Sequence, residues 1–138
     1  MVFGNSFTIQ TRGFSDVVNV TSEVQLILAK SEMESGIVTV FVVGSTASIS
    51  TIEFEPALSQ DMQDRLDKLV PSNLKTRHSE TWGDDNGFSH IRATLMGPGI
   101  TVPFAEKKLI LGTWQQIVVI DHDNRPRGRK IFVQVIGE

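Results

Sequence analysis

Residues Ile37 to Val43 constrain this chain more than any other stretch. The seven side chains carry no charge, and all but Phe41 are β-branched. A run of that composition reads as a buried central strand, which needs neighbours on both edges and cover for its faces. Candidate neighbours lie on either side. Phe7 to Thr11 and Phe14 to Val20 alternate as strands around Arg12-Gly13, and Gly44-Ser45-Thr46 breaks the chain before a further strand, Ser48 to Glu53. Between these, Thr21 offers an N-cap oxygen, and Val24, Ile27 and Leu28 recur at helical spacing, with Gly36 suited to close the helix. Pro56 opens a second helix in which Leu58, Met62, Leu66 and Leu69 form an apolar stripe, and Pro71 ends it. From Ser89 onward the pattern reads as β: Ser89 to Met96, Ile100 to Phe104, Leu109 to Leu111, Trp114 to Ile120 and Arg129 to Ile136. Clustered strands with short turns and two helices imply an α+β fold with mixed, largely antiparallel sheets over residues 1–138 as one domain.

Composition narrows the functional classes. A formal charge of −3 gives no basic excess of the kind that nucleic-acid binding requires. Without cysteine there is no disulfide framework, thiolate metal site or cysteine nucleophile. No apolar run reaches the ~18 residues of a membrane span, and the N-terminus lacks a signal-peptide pattern, so the expected setting is cytoplasmic.

Chemistry concentrates between Arg77 and Arg92, where two imidazoles, several carboxylates, an amide and two guanidiniums surround an Asp84-Asp85-Asn86-Gly87 turn. The same turn is also an ordinary solvated one. Read as a strand, Ser89 to Met96 places His90, Arg92 and Thr94 on one face and Ile91, Ala93 and Leu95 on the other. His78 and His90, twelve residues apart, converge only if the segment folds back. With a carboxylate they would then hold a divalent ion such as zinc or magnesium weakly; otherwise they are hydrogen-bonded structure. His122 falls in a polar turn and is expected to be solvated, and Trp114 is expected in the core.

Ser45 and Thr46, on the small-residue break, can offer hydroxyls and N–H groups to an anion. The lack of a following Lys excludes a P-loop. Arg125 and Arg127 alternate with Arg129, and if extended give one guanidinium face suited to phosphate, or else a charged hairpin guarding a strand edge. Of Glu53 and Glu55, the latter fits the helix N-terminus, which leaves Glu53 for chemistry.

Several of these segments together resemble one family. Gly44-Ser45-Thr46-Ala47-Ser48 with Thr51-Ile52-Glu53, Asp85-Asn86-Gly87-Phe88-Ser89-His90-Ile91-Arg92-Ala93, and Leu109-Ile110-Leu111-Gly112-Thr113-Trp114-Gln115-Gln116-Ile117 follow the wording of the YjbQ-like, or secondary thiamine-phosphate synthase, family, nearest its archaeal branch. The resemblance covers essentially the whole chain. It implies a homotrimer and a weak transferase activity that joins hydroxymethylpyrimidine diphosphate to thiazole phosphate and releases pyrophosphate. On this reading Glu53, Asp85, His90 and Arg92 are the catalytic candidates. Ser45, Thr46, Asn86, Arg125 and Arg127 would bind phosphate, and His78 and His90 a metal. The chain departs from its relatives at Gly44, Gly83 and Phe88, where histidines are common. The alternative is a non-catalytic trimer that binds a small anion or metal, or one that keeps only a vestigial site. In either case the expected ligand is anionic and lies between the His78–Arg92 and Gly44–Glu53 segments.

Overall fold

A computed structural model describes residues 1–138. The chain runs β1 (Val2–Thr11), β2 (Asp16–Asn19), α1 (Thr21–Ser31), β3 (Ser35–Val43), β4 (Ala47–Glu53), α2 (Pro56–Leu69), α3 (Arg77–Trp82), α4 (Gly87–Met96), β5 (Gly99–Ala105), β6 (Lys108–Leu109), β7 (Gln115–Asp121) and β8 (Arg127–Gly137). Two sheets form, ordered β1-β8-β3-β5-β6 and β2-β7-β4, and every pairing is antiparallel. The α+β class and the central position of Ile37–Val43 agree with the sequence pattern.

Alternation along the strands sorts the side chains into layers. Val38, Val40 and Val42 of β3 and Ile131, Val133 and Val135 of β8 point inward, where they meet Ile49, Ile117 and Val119 of the smaller sheet and Val24, Ile27 and Leu28 of α1. The far side of the smaller sheet presents Val17, Val118 and Ile120, which pack with Ile52 and with Met96 of α4. No element covers the outer face of the five-stranded sheet. Ile37, Phe41, Val43, Phe132 and Ile136 all stand exposed there.

Four helices form where the sequence pattern shows two. Ser89 to Met96 is the main correction, because it is helical within α4. Its buried positions are Gly87, Phe88, Ser89, Arg92 and Ala93, a helical face whose middle is polar. The apolar residues Ile91 and Leu95 point outward, so hydrophobicity here tracks the wrong side and mimics alternation. A buried Arg is the cause.

Smaller differences have local reasons. The left-handed residue closing α1 is Glu32, while Gly36 lies in β3, where a Cβ would press on the Ile136 carbonyl oxygen. Glu55 caps α2 as expected, accepting from Ala57 and Leu58 N–H groups at 3.0 and 2.6 Å. Leu69 and Trp114 are exposed rather than core.

Candidate functional site

The segment from Arg77 to Arg92 does fold back, as a helical hairpin. Thr76 caps α3, its Oγ1 accepting from the Ser79 N–H at 3.1 Å, and left-handed Gly83 closes it after six residues. Asp85, also left-handed at φ 54°, turns the chain into α4. The tight return depends on Gly87, where a Cβ would lie 2.0 Å from Thr76 Oγ1. The rings of His78 and His90 consequently meet edge to face with centroids 4.6 Å apart. Nε2 of His78 lies 3.5 Å from Asp84 Oδ2. The two imidazoles line a cleft of about 610 Å³ together with Leu74, Lys75, Thr76, Arg77, Glu80 and Ile91. A neighbouring cleft of about 560 Å³ shares Lys75, Thr76 and Glu80, and it is this one that Asp85 lines. Neither Lys75 nor Arg77 makes an ion pair.

Arg92 is not in this cleft. On a helix, residues two apart point to nearly opposite sides, so His90 and Arg92 cannot share a face. The Arg92 guanidinium is fully buried and donates to the Val70 carbonyl at 2.7 and 2.9 Å, to Ser15 Oγ at 2.9 Å and to Asp67 Oδ1 at 2.9 Å. It also lies 5.0 Å over the Phe88 ring. All three of its nitrogens already donate to groups of the chain.

The phosphate candidates divide in an instructive way. Thr46 and Arg127 do converge on an anion, but the anion is the chain's own Asp123. Thr46 Oγ1 donates to Asp123 Oδ2 at 3.0 Å, Arg127 Nε donates to the same oxygen at 2.8 Å, and the Asn86 amide lies 3.4 Å from Oδ1. The Gly44–Thr46 break and the histidine hairpin thus meet across this carboxylate, which sits where a bound anion was expected. Ser45 is exposed and joins no such cluster. Arg125 lies in the turn before β8, not on a strand face with Arg127 and Arg129, and its side chain is exposed and unpaired. Glu53 pairs with Gln115 at the end of the small sheet away from Asp121, six positions or ~20 Å along the strand. Glu53 lines neither of the two hairpin clefts.

Behind Asp123 lies a buried network that composition gave no reason to expect. Asp121, His122 and Asp123 are all fully buried. Asp121 accepts from Arg129 Nε at 2.7 Å, Arg129 Nη2 at 2.8 Å and Thr11 Oγ1 at 2.5 Å. Burial by itself would raise the Asp121 and Asp123 pKa values, but hydrogen bonds from Arg129 and Thr11, and from Arg127, Asn124 and Thr46, hold both below the ordinary carboxylate value. The Asp121 hydrogen bonds in turn raise that of Arg129 against its own burial.

His122, expected in solvent, bridges Ser15 Oγ at 2.7 Å from Nδ1 and Ser48 Oγ at 2.9 Å from Nε2. Arg92 donates to Ser15, so the Ser15 hydroxyl is free to donate to Nδ1, and Nε2–H donates to Ser48. Desolvation first, then the charge of Arg92, lowers the His122 pKa to about 4. The ring is neutral near pH 7. The sequence signal for this network is an Asp-His-Asp triplet that directly continues an apolar strand instead of following a turn.

No group of three His, Asp or Glu side chains comes close enough to hold a metal ion. His78 lies beside Asp84, and the His90 ring packs against it edge to face. In this two-sheet α+β frame the histidine hairpin lines two adjoining polar, partly open clefts.

The comparisons place that frame. The family described as UPF0047 protein YjbQ-like matches residues 5–138, and the chain belongs to it. A UPF0047 protein of Methanothermobacter thermautotrophicus is 34% identical over 137 residues, covering 99% of this chain and 94% of that protein. One from Archaeoglobus fulgidus is 31% identical, over 94% of this chain and 98% of that one. The crystal structure of a YbjQ-like protein of unknown function from Sulfolobus solfataricus superposes with a TM-score of 0.93 at 31% identity, covering 100% of this chain and 99% of the other. The archaeal character of these relatives agrees with the wording of the sequence.

Proposed function

We propose that the α3–α4 cleft binds a phosphorylated small molecule, and that the protein catalyses a thiamine-phosphate synthase type of transfer there. One observation carries this reading: two imidazoles in contact, at 4.6 Å, line a cleft whose cations Lys75 and Arg77 have no internal partner. Cations that make no ion pair within the chain, in a concave polar site, are spare capacity for an anion. In the transfer implied by the family resemblance, a thiazole nitrogen forms a bond to the pyrimidine methylene. Pyrophosphate leaves with the electron pair of the broken C–O bond. Lys75 and Arg77 would stabilise the charge that develops on it, and His78 or His90 would supply a hydrogen bond or proton.

The uncovered face of the five-stranded sheet supports self-assembly into the homotrimer that the resemblance implies. Contiguous exposed Phe41, Val43, Phe132 and Ile136 form the kind of patch that an isolated chain seldom leaves in water. Phe132→Asp is expected to yield monomers by light scattering where the wild type gives a trimer, and a monomeric wild type at micromolar concentration would remove the assembly.

The activity itself is tested by single-turnover formation of thiamine phosphate from the two substrates, with wild type, His90→Ala and a Lys75→Ala/Arg77→Ala double variant. Product from the wild type and its loss in both variants is expected. Pyrophosphate binding without product would favour a non-catalytic anion-binding module instead.

A further inference from the structure

Asn86 stands at the N-cap of α4, where an Asn side chain ordinarily accepts hydrogen bonds from the first helical N–H groups. It makes no such bond. Its buried amide is instead wedged between two carboxylates. On one side both oxygens of Asp84 lie 3.0 Å away and His78 Nε2 lies 3.2 Å away. On the other is Asp123 Oδ1, at 3.4 Å.

A carboxamide has one donor end and one acceptor end, so its NH₂ can face only one of these sides. Facing Asp123, it would make a single long contact and drive its own oxygen to 3.0 Å from two carboxylate oxygens. Facing Asp84, it makes short contacts to both Asp84 oxygens and to His78. Asp123 has no need of it, because Arg127, Thr46 and the Asn124 N–H already donate to that carboxylate. The second arrangement wins on both counts. Asn124 Nδ2, donating to the Asp84 carbonyl at 2.9 Å, holds the turn in the register that this requires.

We propose that Asn86 is the positioning residue of the cleft, and that its amide keeps His78 Nε2 unprotonated so that the neutral ring carries its proton on Nδ1. One amide hydrogen goes to Asp84 and the other to the Nε2 lone pair, which leaves His78 only an N–H to offer a ligand. That makes His78 a hydrogen-bond donor matched to acceptor-rich groups such as phosphate oxygens, and it assigns any proton-accepting role to His90. The tautomer stands independently of what the cleft binds. Only the role of Nδ1–H rests on the phosphorylated-ligand reading.

The test is a two-bond ¹⁵N–¹H correlation spectrum of labelled protein at about pH 8, above the ordinary imidazole range. It shows which ring nitrogen of His78 bears the proton. The wild type is expected to show Nδ1–H. In Asp84→Ala the remaining carboxylate, Asp123, draws the NH₂ to itself, Oδ1 turns to His78, and the proton moves to Nε2. In Asn86→Ala the vacated Nε2 protonates and donates to Asp84. Lys107→Ala, in a distant turn, leaves the spectrum of His78 as in the wild type. A wild-type ring already protonated on Nε2, or an unchanged tautomer in Asp84→Ala, overturns the proposal. Asp84 is exposed, so that variant decides the matter even if Asn86→Ala fails to fold. Titration with inorganic pyrophosphate separates the two readings: absent binding with the expected tautomer would sink the phosphorylated-ligand reading and leave the positioning role standing.

Discussion

Two clusters of similar residues lie on either side of the Asn86–Asp123 contact, and they are used in opposite ways. The inner one joins Arg92, Ser15, His122, Ser48, Asp121, Asp123, Thr46 and Arg129, and in it every buried side chain has a hydrogen-bond partner within the chain. Outside this cluster, Ser59 Oγ in α2 is the one buried side-chain polar atom without a partner. The outer cluster, His78, His90, Lys75, Arg77 and Glu80, lines a cleft, with Asp84 beside His78, and neither of its cations is in an ion pair. The inner network has more charge and better geometry, yet it has nothing left to offer a ligand. Spare hydrogen-bonding capacity, rather than density of polar residues, is what separates a site from a scaffold.

The largest effect should come from Arg92→Ala. The change leaves the Val70 carbonyl and Ser15 Oγ without a donor in the interior and strips the cover from Phe88. Each orphaned buried acceptor costs about 1–3 kcal/mol, so a loss of about 3–5 kcal/mol in urea unfolding is expected. A loss under about 1 kcal/mol would mean that the inner network is not structural, and the contrast between the clusters would collapse.

Acid should act next, through His122. Its folded pKa of about 4 lies below the ordinary value of 6.5, so the native state favours the neutral ring. The associated stability is fully present above pH 6.5. It is lost as pH falls from 6.5 to about 4, and the loss then levels off. The 2.5-unit interval at 1.36 kcal/mol per unit corresponds to about 3 kcal/mol. Asp121 and Asp123, both lowered, hold their contribution above the ordinary carboxylate value of 3.8 and lose it only below that, so a second acid limb follows. Urea unfolding at a series of pH values checks this. His122→Gln should be less stable throughout, but with a flatter slope between pH 6.5 and 4. An equal slope in the variant would assign the acid loss to other groups.

Removing the unpaired cations should weaken anion binding without weakening the fold. Lys75→Ala and Arg77→Ala are each expected to cost about 1.5–3 kcal/mol of pyrophosphate binding by calorimetry, the range for one charge-assisted contact. Arg125→Ala, whose exposed guanidinium lies outside the cleft, is expected to change it little. If Arg125→Ala has the larger effect, the ligand sits beside the β7–β8 turn instead.

Much of this was legible in the chain. The β-branched run Ile37–Val43 and Pro56 with the Glu55 cap each follow from local backbone preferences, which tertiary packing did not override. The convergence of His78 with His90 was legible only as a condition, because it depends on Gly87 fitting against Thr76. Arg92 and His122 were misplaced for a single reason. Periodicity assigns polar residues to the solvent side, and here the buried face of α4 and the end of β7 carry polar residues that satisfy one another. Thr46 and Arg127 were expected to bind a phosphate, and in the structure both donate to a carboxylate instead. Sequence could not show that the anion, Asp123, belongs to the same chain.

The smallest expected effect is the sharpest probe of the contrast. His78→Ala and His90→Ala remove partly exposed rings whose neighbours, Asp84 and the cleft walls, remain accessible to water. Surface substitutions of this kind usually fall within about 0.5 kcal/mol of wild type, so urea midpoints should barely move. Pyrophosphate affinity should nevertheless fall in His78→Ala, because the ring would no longer present a donor to the cleft. Stability and binding would then respond to separate residues: Arg92 to the first, His78 to the second. If His78→Ala unfolds as readily as Arg92→Ala while binding is unchanged, the hairpin is scaffold as well, and the ligand must be sought elsewhere on the surface.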